Sequence, residues 1–183
     1  MADTIVETER LRLRTWDEGD GEAFYAVMNT PAVMLYLGGV QSPAAWADVV
    51  ARVTGYQREL GYTFWIVERR ETKELLGWCG LKHINYPGAP NPGDMEIGWR
   101  FRASAWGQGI AKEAATATLD LAFGRFAAPF VIAVTFAANS ASWGLMERLG
   151  MRYVPELDFI DPRYADLGPT RQWRIDAAAW ATR

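Results

Sequence analysis

The sequence predicts a single α/β (α+β) domain over residues 1–183, in which helices flank a mixed sheet of about six or seven strands. The main observation is the spacing of apolar residues: segments in which they alternate as in a strand are interspersed along the chain with segments in which they recur as in a helix. A second is that 50% of the residues are hydrophobic, so one sizeable core can form without metals or disulfides. No fixed-period repeat or low-complexity segment interrupts this order.

The first half of the chain predicts one strand followed by helices. Residues 8–14 alternate apolar and charged side chains, which is typical of a half-buried strand. We expect a helix over residues 17–29, with its first residue as the cap, and a helical turn over residues 31–35. A serine–proline pair then indicates the start of a longer helix over residues 42–61, which a glycine ends.

The second half of the chain predicts a hairpin followed by alternating strands and helices. Residues 62–68 and 75–84 have strand character and flank a polar turn. Three prolines and two glycines make residues 85–93 a loop. The remaining strands are expected at residues 94–101, 129–136, 151–154 and 171–175, and the remaining helices at residues 110–125 and 140–149.

Composition excludes several classes of site and partner. The single cysteine, Cys79, allows no internal disulfide or multi-cysteine metal site, and the single histidine, His83, allows no site with two imidazoles. The net charge is −3 and there is no long basic run, which argues against nucleic-acid binding. No segment has the length and apolarity of a signal peptide or a membrane span. We therefore expect a reduced, cytoplasmic chain without a metal.

The most informative stretch covers residues 102–113 and reads R-A-S-A-W-G-Q-G-I-A-K-E. A strand ends here, a turn with Gly107 and Gly109 follows, and a helix begins. The first N–H groups of a helix lack internal partners and carry partial positive charge, which suits a pyrophosphate. A strand-to-helix turn without a ligand has the same pattern. A dinucleotide fingerprint is excluded because Lys112 stands where a third small residue is needed, and no nucleotide-triphosphate loop occurs.

A second polar constellation covers residues 139–153 and reads N-S-A-S-W-G-L-M-E-R-L-G-M-R-Y. Asn139 and Ser142 stand where a buried strand gives way to a helix. Helix capping accounts for such residues by itself. Contact with a ligand at the end of the strand is the alternative.

Together the two segments resemble the GNAT superfamily of N-acetyltransferases, in its RimJ/RimL-like branch. The family's pyrophosphate motif, Gln/Arg-x-x-Gly-x-Gly/Ala, is matched at Gly109 and Ala111, whereas Trp106 stands where Gln or Arg is usual. This W-G-x-G-x-A form is common in the branch. The second motif is similar to Asn-x-x-Ser followed by Leu-Gly-Met/Phe, which residues 139–151 match. The opening E-T-E-R-L-R-L-R is similar too, so the resemblance spans residues 7–175.

The resemblance implies a twisted GNAT-like sheet in which two parallel strands, residues 94–101 and 129–136, splay apart and form a cleft for acetyl-CoA, the cosubstrate. The pantetheine arm would pair with the first strand, since splayed strands leave N–H and C=O groups unpaired. Asn139 would bond the same arm. The residues expected to bind acetyl-CoA are Trp99, Phe101, Trp106, Gly107, Gln108, Gly109, Ile110, Ala111, Asn139 and Ser142.

The resemblance also implies direct acetyl transfer to a primary amine within a ternary complex. An ammonium group cannot attack a thioester, so a carboxylate must accept its proton, directly or through a water. Glu96 matches the place of the general base in the RimJ/RimL-like pattern, and Asp94 is its substitute. Ser142 resembles the serine beside the sulfur, where it would orient a water or hydrogen-bond the leaving thiolate. Independently of the resemblance, Gly98 inside the predicted strand over residues 94–101 indicates a bulge or a close backbone approach.

Other assignments stay open for the reactive residues. The alternative for Glu96 is a solvated strand residue. Cys79 would be needed for an acyl-cysteine mechanism, but a cysteine in the middle of a strand is usually inert core. His83 as a base and Tyr153 as a proton donor are alternatives to structural roles, which we favour for both.

The sequence leaves the acceptor open between a protein N-terminus and a small-molecule amine. Asp158, Asp161 and Asp166 suggest an acidic, tryptophan-rimmed mouth for a cation. A homodimer is compatible with the sequence, which does not fix the oligomeric state. The alternatives to an enzyme are a catalytically inactive acetyl-CoA-binding regulatory domain and an interaction domain that does not bind CoA.

Overall fold

The computed structural model describes residues 2–183, and its eight strands form one sheet. The strands are β1 (Thr4–Glu7), β2 (Leu11–Arg14), β3 (Phe64–Arg69), β4 (Leu75–His83), β5 (Met95–Phe101), β6 (Phe130–Phe136), β7 (Arg152–Tyr153) and β8 (Thr170–Asp176). The helices are α1 (Asp20–Met28), α2 (Pro31–Met34), α3 (Pro43–Leu60), α4 (Ile110–Gly124), α5 (Ser140–Arg148) and α6 (Ala177–Ala181).

The sheet has the order β1-β2-β3-β4-β5-β6-β8-β7. All neighbouring strands are antiparallel except β5 and β6, which run parallel, and this confirms the mixed α/β fold with a parallel pair. Strand β8 pairs with β6 on one side and with β7 on the other, so β7 is the edge strand of the sheet. The two short 3₁₀ segments that precede β8, Pro155–Leu157 and Pro162–Leu167, were expected to be loop.

The N-terminal segment is a hairpin, and the prediction of one strand over residues 8–14 is wrong in its extent. Strand β1 pairs with β2, which adds an eighth strand to the expected six or seven. The prediction that Asp17 caps the first helix is also wrong. Helix α1 begins at Asp20 after Gly19, while the Asp17 carboxylate accepts hydrogen bonds from the N–H groups of Ala2 and Glu18.

The predicted start and end of helix α3 are confirmed. The Ser42 side chain accepts a hydrogen bond from the N–H of Ala45 and so caps α3, with Pro43 as the first helical residue. Gly61 ends the same helix in the left-handed region, with φ of 77°. The short helix α6 at the C-terminus was not predicted.

The sheet buries a different core on each of its two faces. On one face, helix α4 packs over the central strands with a mainly aliphatic core. On the other face, helices α1 and α3 cover an aromatic cluster in which ring stacks join neighbouring side chains. We call this the aromatic cluster; its members are Trp16, Phe24, Trp46, Phe64 and Trp78.

Strands β5 and β6 meet at one residue pair and then part. The only parallel partners along these two strands, as far as the structure describes the chain, are Glu96 and Ile132. Beyond that pair, β5 keeps its hydrogen bonds to β4 on its other side as far as Phe101. The splayed parallel strands that the resemblance implies are therefore present. Within residues 2–183, every helix is too short or too polar to cross a bilayer.

A glycine at the centre of the sheet tests this packing. In a Gly80→Ala variant, the added Cβ would lie 1.9 Å from the carbonyl oxygen of Thr63 and 2.7 Å from the Cα of Phe64. Both are backbone atoms, so strand β3 must shift, and we expect the free energy of unfolding to fall by about 2–3 kcal/mol. Urea denaturation measures this change.

Gly124→Ala is the matched control, because a Cβ added there at the end of α4 has no heavy atom within 4 Å apart from the neighbouring backbone of its own helix. Its free energy of unfolding should stay within about 1 kcal/mol of the wild-type value, or rise slightly through helix propensity. Equal stability of the two variants would contradict the described contact between β3 and β4.

Candidate active site

The backbone of β5 presents alternate residues to its two neighbours. The N–H of Ile84 donates to Asp94 O over 2.8 Å, and the N–H of Arg102 donates to Leu76 O over 2.9 Å, so even-numbered residues bond to β4. Odd-numbered residues therefore direct their N–H and C=O groups toward β6. Because β6 has already parted from β5, Trp99 and Phe101 present these groups to the cleft.

The side chain of Trp106 occupies part of this edge. Its indole Nε1 donates a hydrogen bond of 2.9 Å to the carbonyl oxygen of Phe101, and 51% of the residue is exposed. The N–H of Phe101 and both backbone groups of Trp99 remain on the cleft side. Trp106 thus fixes the turn that follows β5, in the place where the family motif usually has Gln or Arg.

The turn between β5 and α4 exposes a run of backbone N–H groups. Gly107 and Gly109 have φ of 73° and 76°, in the left-handed region that favours glycine. Within the described chain, none of the N–H groups of residues 107–112 donates to a protein acceptor. Ile110 is 1% exposed and anchors the helix start in the core, while Ala111 follows it in the first turn. This is the geometry of an anion-binding helix N-terminus.

Side chains from the β1–β2 turn and from β3 hold the glycine turn in place. Arg10 contacts Glu113 in the first turn of α4, with 2.6 Å between Nε and Oε2, and its Nη1 donates to Gln108 O over 2.9 Å. The Gln108 side chain accepts from Arg69 and donates to Ser104 O. The Gln108 side chain therefore stabilises the turn. A groove of about 720 Å³ lies between α4 and residues 6–10, and Gly109 is part of its lining.

Asn139 and Ser142 lie on the other side of the cleft, where α5 follows β6. The Asn139 side chain caps α5 by accepting a hydrogen bond of 3.3 Å from the N–H of Ser142. Capping is thus one role that Asn139 fulfils. The Ser142 hydroxyl is half-buried and has no hydrogen-bond partner within residues 2–183. Because β5 and β6 are parallel, their C-terminal ends place Ser142 and the glycine turn at the same edge of the sheet.

Glu96 is buried at the end of the cleft where β5 and β6 still pair. It is therefore not a solvated strand residue. It is 3% exposed, its Oε2 lies 2.6 Å from Lys82 Nζ, and its Oε1 accepts a hydrogen bond of 2.7 Å from the hydroxyl of Tyr86. Burial raises the pKa of Glu96 above its ordinary 4.5, and the Lys82 ammonium partly offsets that rise. Burial and the Glu96 charge raise the pKa of Tyr86, so its hydroxyl stays protonated.

The face of the sheet around Glu96 is built from three cross-strand pairs between β4 and β5. Lys82 faces Glu96, Gly80 faces Gly98, and Trp78 faces Arg100. The register is continuous through Gly98, so the alternative of a bulge there is wrong. The other alternative, a close approach, is present, because a Cβ on Gly98 would lie 2.9 Å from a ring carbon of Phe64.

Arg100 is held in this face without a counter-ion. Its guanidinium carbon lies 4.5 Å from the ring centroid of Trp78 and 6.0 Å from that of Trp46. Its Nε and Nη1 atoms are shielded from solvent and have no hydrogen-bond partner within residues 2–183. Burial lowers the pKa of Arg100 to about 10, and nearby Tyr164 and Arg52 act on it in opposite directions.

The three residues considered as alternative catalytic groups, Cys79, His83 and Tyr153, each contact other side chains of the protein. Cys79 is fully buried against Thr118, and burial raises the pKa of its thiol to about 12, so it is not a ready nucleophile. His83 Nε2 shares a hydrogen bond of 2.6 Å with the hydroxyl of Tyr62. The Tyr153 hydroxyl donates to the carboxylate of Asp158.

The proposed acidic mouth does not form as an open cluster. Asp158 accepts from Tyr153 and from the N–H of Gln172. Asp161 is 2% exposed and paired with Arg163, whose Nη2 lies 2.6 Å away. Asp94, the substitute base, accepts from the Asn91 side chain before β5 begins. Residues 2–183 contain no cluster of three or more His, Cys, Asp or Glu side chains that could hold a metal.

Sequence reasoning missed three residues of this site: Lys82, Tyr86 and Arg100. A signal was available for two of them. Lys82 interrupts an otherwise apolar strand, which indicates a buried partner, and Arg100 has the same strand parity as Glu96, which places both on one face. Tyr86 lies in a loop, where no periodicity relates it to Glu96.

Comparison with known proteins gives the family. The model of the acetyltransferase (GNAT) domain matches residues 10–152. The protein YkkB of Bacillus subtilis (strain 168) is 33% identical over 153 residues, which cover 83% of this chain and 87% of that protein.

Solved structures share the fold. An acetyltransferase from Agrobacterium tumefaciens str. C58 is similar with a TM-score of 0.78 and 26% identity, covering 93% of this chain and 92% of that one. The ribosomal L7/L12 α-N-protein acetyltransferase RimL, solved in complex with coenzyme A, has a TM-score of 0.76 at 17% identity, covering 97% of this chain and 99% of that one. Because the family model spans most of the sequence, this chain belongs to the GNAT family of acetyltransferases.

Proposed function

We propose that this chain transfers the acetyl group of acetyl-CoA directly to a primary amine, with Glu96 as the general base. The observation that carries the proposal is the pairing of two features at one edge of the sheet. One is the run of free N–H groups at residues 107–112, and the other is the unpaired backbone edge of Trp99 and Phe101. A diphosphate and a peptide-like arm are the two parts of a CoA molecule that these features fit.

Acetyl-CoA fits the residues present. The N–H groups of residues 107–112 would hold its diphosphate, at roughly 1.5–3 kcal/mol for each bond to a charged oxygen. Trp99 and Phe101 would pair with the pantetheine amides, and Asn139 would add a side-chain contact from the β6 side. RimL, which shares this fold, binds coenzyme A in its crystal structure. Acetyl-CoA supplies the activated acetyl group as a thioester.

Glu96 is suited to remove the amine proton. Its pKa is raised by burial, which makes it a stronger base than an exposed glutamate, while the Lys82 ammonium partly offsets that rise. Its Oε1 accepts a hydrogen bond from Tyr86, while its Oε2 contacts Lys82 Nζ and has no hydrogen-bond partner within residues 2–183. A deprotonated amine then attacks the thioester carbonyl, directly or after proton transfer through a water.

Ser142 is proposed to assist the departure of the thiolate. Its hydroxyl has no internal partner and lies in the first turn of α5, on the β6 side of the cleft. A hydroxyl there would hydrogen-bond the developing thiolate or orient a water that protonates it.

A cytoplasmic location stays a prediction from the sequence.

The base role of Glu96 is tested by a Glu96→Gln variant. The amide keeps the size of the carboxyl but cannot accept the amine proton, so we expect kcat to fall by about 100-fold or more. Release of free CoA thiol in the presence of acetyl-CoA and a panel of amines and peptides measures turnover. Isothermal titration should give an acetyl-CoA Kd within about twofold of the wild-type value, since the amide leaves the diphosphate site unchanged.

Glu147→Gln on the exposed side of α5 is the control and should keep the wild-type kcat. Wild-type turnover by Glu96→Gln would eliminate Glu96 as the base. Tight acetyl-CoA binding with no acetylated amine for the wild-type protein would instead favour an inactive CoA-binding domain.

The diphosphate site is tested by a Gly109→Asp variant. Aspartate at the N-cap of α4 places a negative charge among the N–H groups, so the Kd for acetyl-CoA should rise by at least about tenfold. Gly19→Asp is a matched control, because Gly19 is also a left-handed N-cap residue, at the start of α1, with φ of 85°. If both variants bind acetyl-CoA with wild-type affinity, the helix start does not hold the diphosphate.

The pH dependence of turnover tests the Lys82–Glu96 pair. Turnover requires ionised Glu96, so kcat/KM should fall as pH drops through a pKa that burial has raised above 4.5. In a Lys82→Met variant the ammonium no longer lowers this pKa, so the acidic limb of the profile should move to higher pH. An acidic limb at the same pH in both proteins would show that another group carries the proton.

A further inference from the structure

Tyr86 contacts both members of the buried pair formed by Glu96 and Lys82. Its hydroxyl donates a hydrogen bond of 2.7 Å to Glu96 Oε1, and the Lys82 ammonium lies 4.0 Å from the centroid of its ring. Tyr86 thus offers a donor to the carboxylate and an aromatic face to the ammonium of a pair that is 2.6 Å apart. It belongs to the loop between β4 and β5, whereas the pair itself belongs to the two strands.

The Glu96 carboxylate depends on Tyr86 for its orientation. The hydrogen bond from Tyr86 is the only one that it accepts within residues 2–183, since the contact with Lys82 leaves Oε2 without a hydrogen bond. The Lys82 ammonium donates instead to His83 O over 3.0 Å and to Asn85 Oδ1 over 3.2 Å. Because a hydrogen bond depends on angle and Coulomb attraction does not, Tyr86 is the contact that sets the rotation of the carboxylate.

The position of Tyr86 depends in turn on the segment between β7 and β8. The centroid of its ring lies 5.9 Å from the ring centroid of Phe159 and 5.9 Å from the guanidinium carbon of Arg163. In the loop of Tyr86, a Cβ added to Gly88 would lie 2.7 Å from the carbonyl oxygen of Ile160, so the two backbones are in close contact. A shift at this contact would therefore move Tyr86 and, through its hydroxyl, the carboxylate.

The charged and titratable groups around Glu96 and Tyr86 come from the sheet, the loop, α3 and the segment after β7. Burial raises the pKa of Glu96, and the Lys82 ammonium and the Tyr86 hydroxyl each lower it. Burial and the Glu96 charge raise the pKa of Tyr86, on which Arg163 and Tyr56 act in opposite directions. The hydroxyl therefore stays protonated, and a protonated donor favours the ionised form of the carboxylate that it bonds.

We propose that Tyr86 is a positioning residue for acetyl transfer: its hydroxyl holds the Glu96 carboxylate ready to accept the amine proton, and the contact of its loop with residues 159–163 keeps it there. The proposal rests on the function proposed above, in which Glu96 is the general base, and adds a residue that acts through that base. It also gives the segment between β7 and β8 a part in turnover that requires no contact with a substrate.

Removal of the hydroxyl in Tyr86→Phe is the first test. The variant keeps the ring, while Glu96 loses the hydrogen bond that lowers its pKa, so the acidic limb of kcat/KM should move to higher pH. At neutral pH, kcat/KM should fall by about tenfold or more, as expected for a lost hydrogen bond to a charged group. The Kd for acetyl-CoA should stay within about twofold of the wild-type value, because Tyr86 is remote from the diphosphate site.

Tyr62→Phe is the matched control for the hydroxyl. The Tyr62 hydroxyl also forms a partly buried hydrogen bond at the end of β4, with 2.6 Å to His83 Nε2. Its acidic limb should coincide with that of the wild type, and a limb that moves in this variant instead would assign the proton to His83 and overturn the proposal. Thermal denaturation of both variants completes the comparison, since a merely structural Tyr86 would lower Tm and leave the limb in place.

Two glycines of the loop test its contact with the segment after β7. Gly88 and Gly93 have φ of 85° and 92°, so alanine is strained at both positions. The Cβ would meet Ile160 O at Gly88, whereas at Gly93 it would have no heavy atom within 4 Å apart from its chain neighbours. Gly88→Ala should therefore move the acidic limb in the same direction as Tyr86→Phe, and Gly93→Ala should leave it in place.

The outcomes separate this inference from the proposed function. An unchanged acidic limb in Tyr86→Phe would overturn the positioning role, whatever the loss of stability, and leave acetyl transfer with Glu96 as the base standing. Equal movement of the limb in Gly88→Ala and Gly93→Ala would overturn the role of the loop contact. Wild-type turnover by Glu96→Gln would overturn both proposals.

Discussion

The parting of β5 from β6 after the single pair of Glu96 and Ile132 is the constraint on which the site depends. A backbone edge inside a sheet normally has both sides paired, and leaving one side open is costly unless a ligand or water completes it. Here the open side begins at Trp99 and continues into a turn whose N–H groups are also free. Both features end at the start of α4, which the contact of Arg10 with Glu113 holds against the sheet.

The opposite face of the same strand carries Glu96, the general base of the proposed mechanism. Even-numbered residues of β5 face α1 and α3, so Glu96, Gly98 and Arg100 form a row across the aromatic cluster. Glu96, which contacts Lys82, and Arg100, which stacks on Trp78, are separated by the pair of Gly80 and Gly98, on which the ring of Phe64 packs. Strand alternation accounts for this division, because it directs the backbone groups of odd residues to the cleft and the side chains of even residues to the face that α1 and α3 cover.

Sequence reasoning located the elements whose signals are local. The serine–proline start of α3, its glycine end and the glycine turn before α4 each depend on residues close together in the chain. It failed where a neighbour in space decides the outcome. The hairpin of β1 and β2 is too short for a clear period, and Asp17 is drawn away from its cap position by the N–H groups of Ala2 and Glu18. The partners of Glu96 likewise come from another strand and a loop.

A crystal structure of the protein with coenzyme A tests the central claim most directly. The account predicts diphosphate oxygens within hydrogen-bonding distance, about 2.7–3.2 Å, of backbone nitrogens in residues 107–112. It also predicts pantetheine amides paired with the open edge at Trp99 and Phe101. A diphosphate bound to other groups, with none of these backbone nitrogens in reach, would contradict the account even if the protein were an active acetyltransferase.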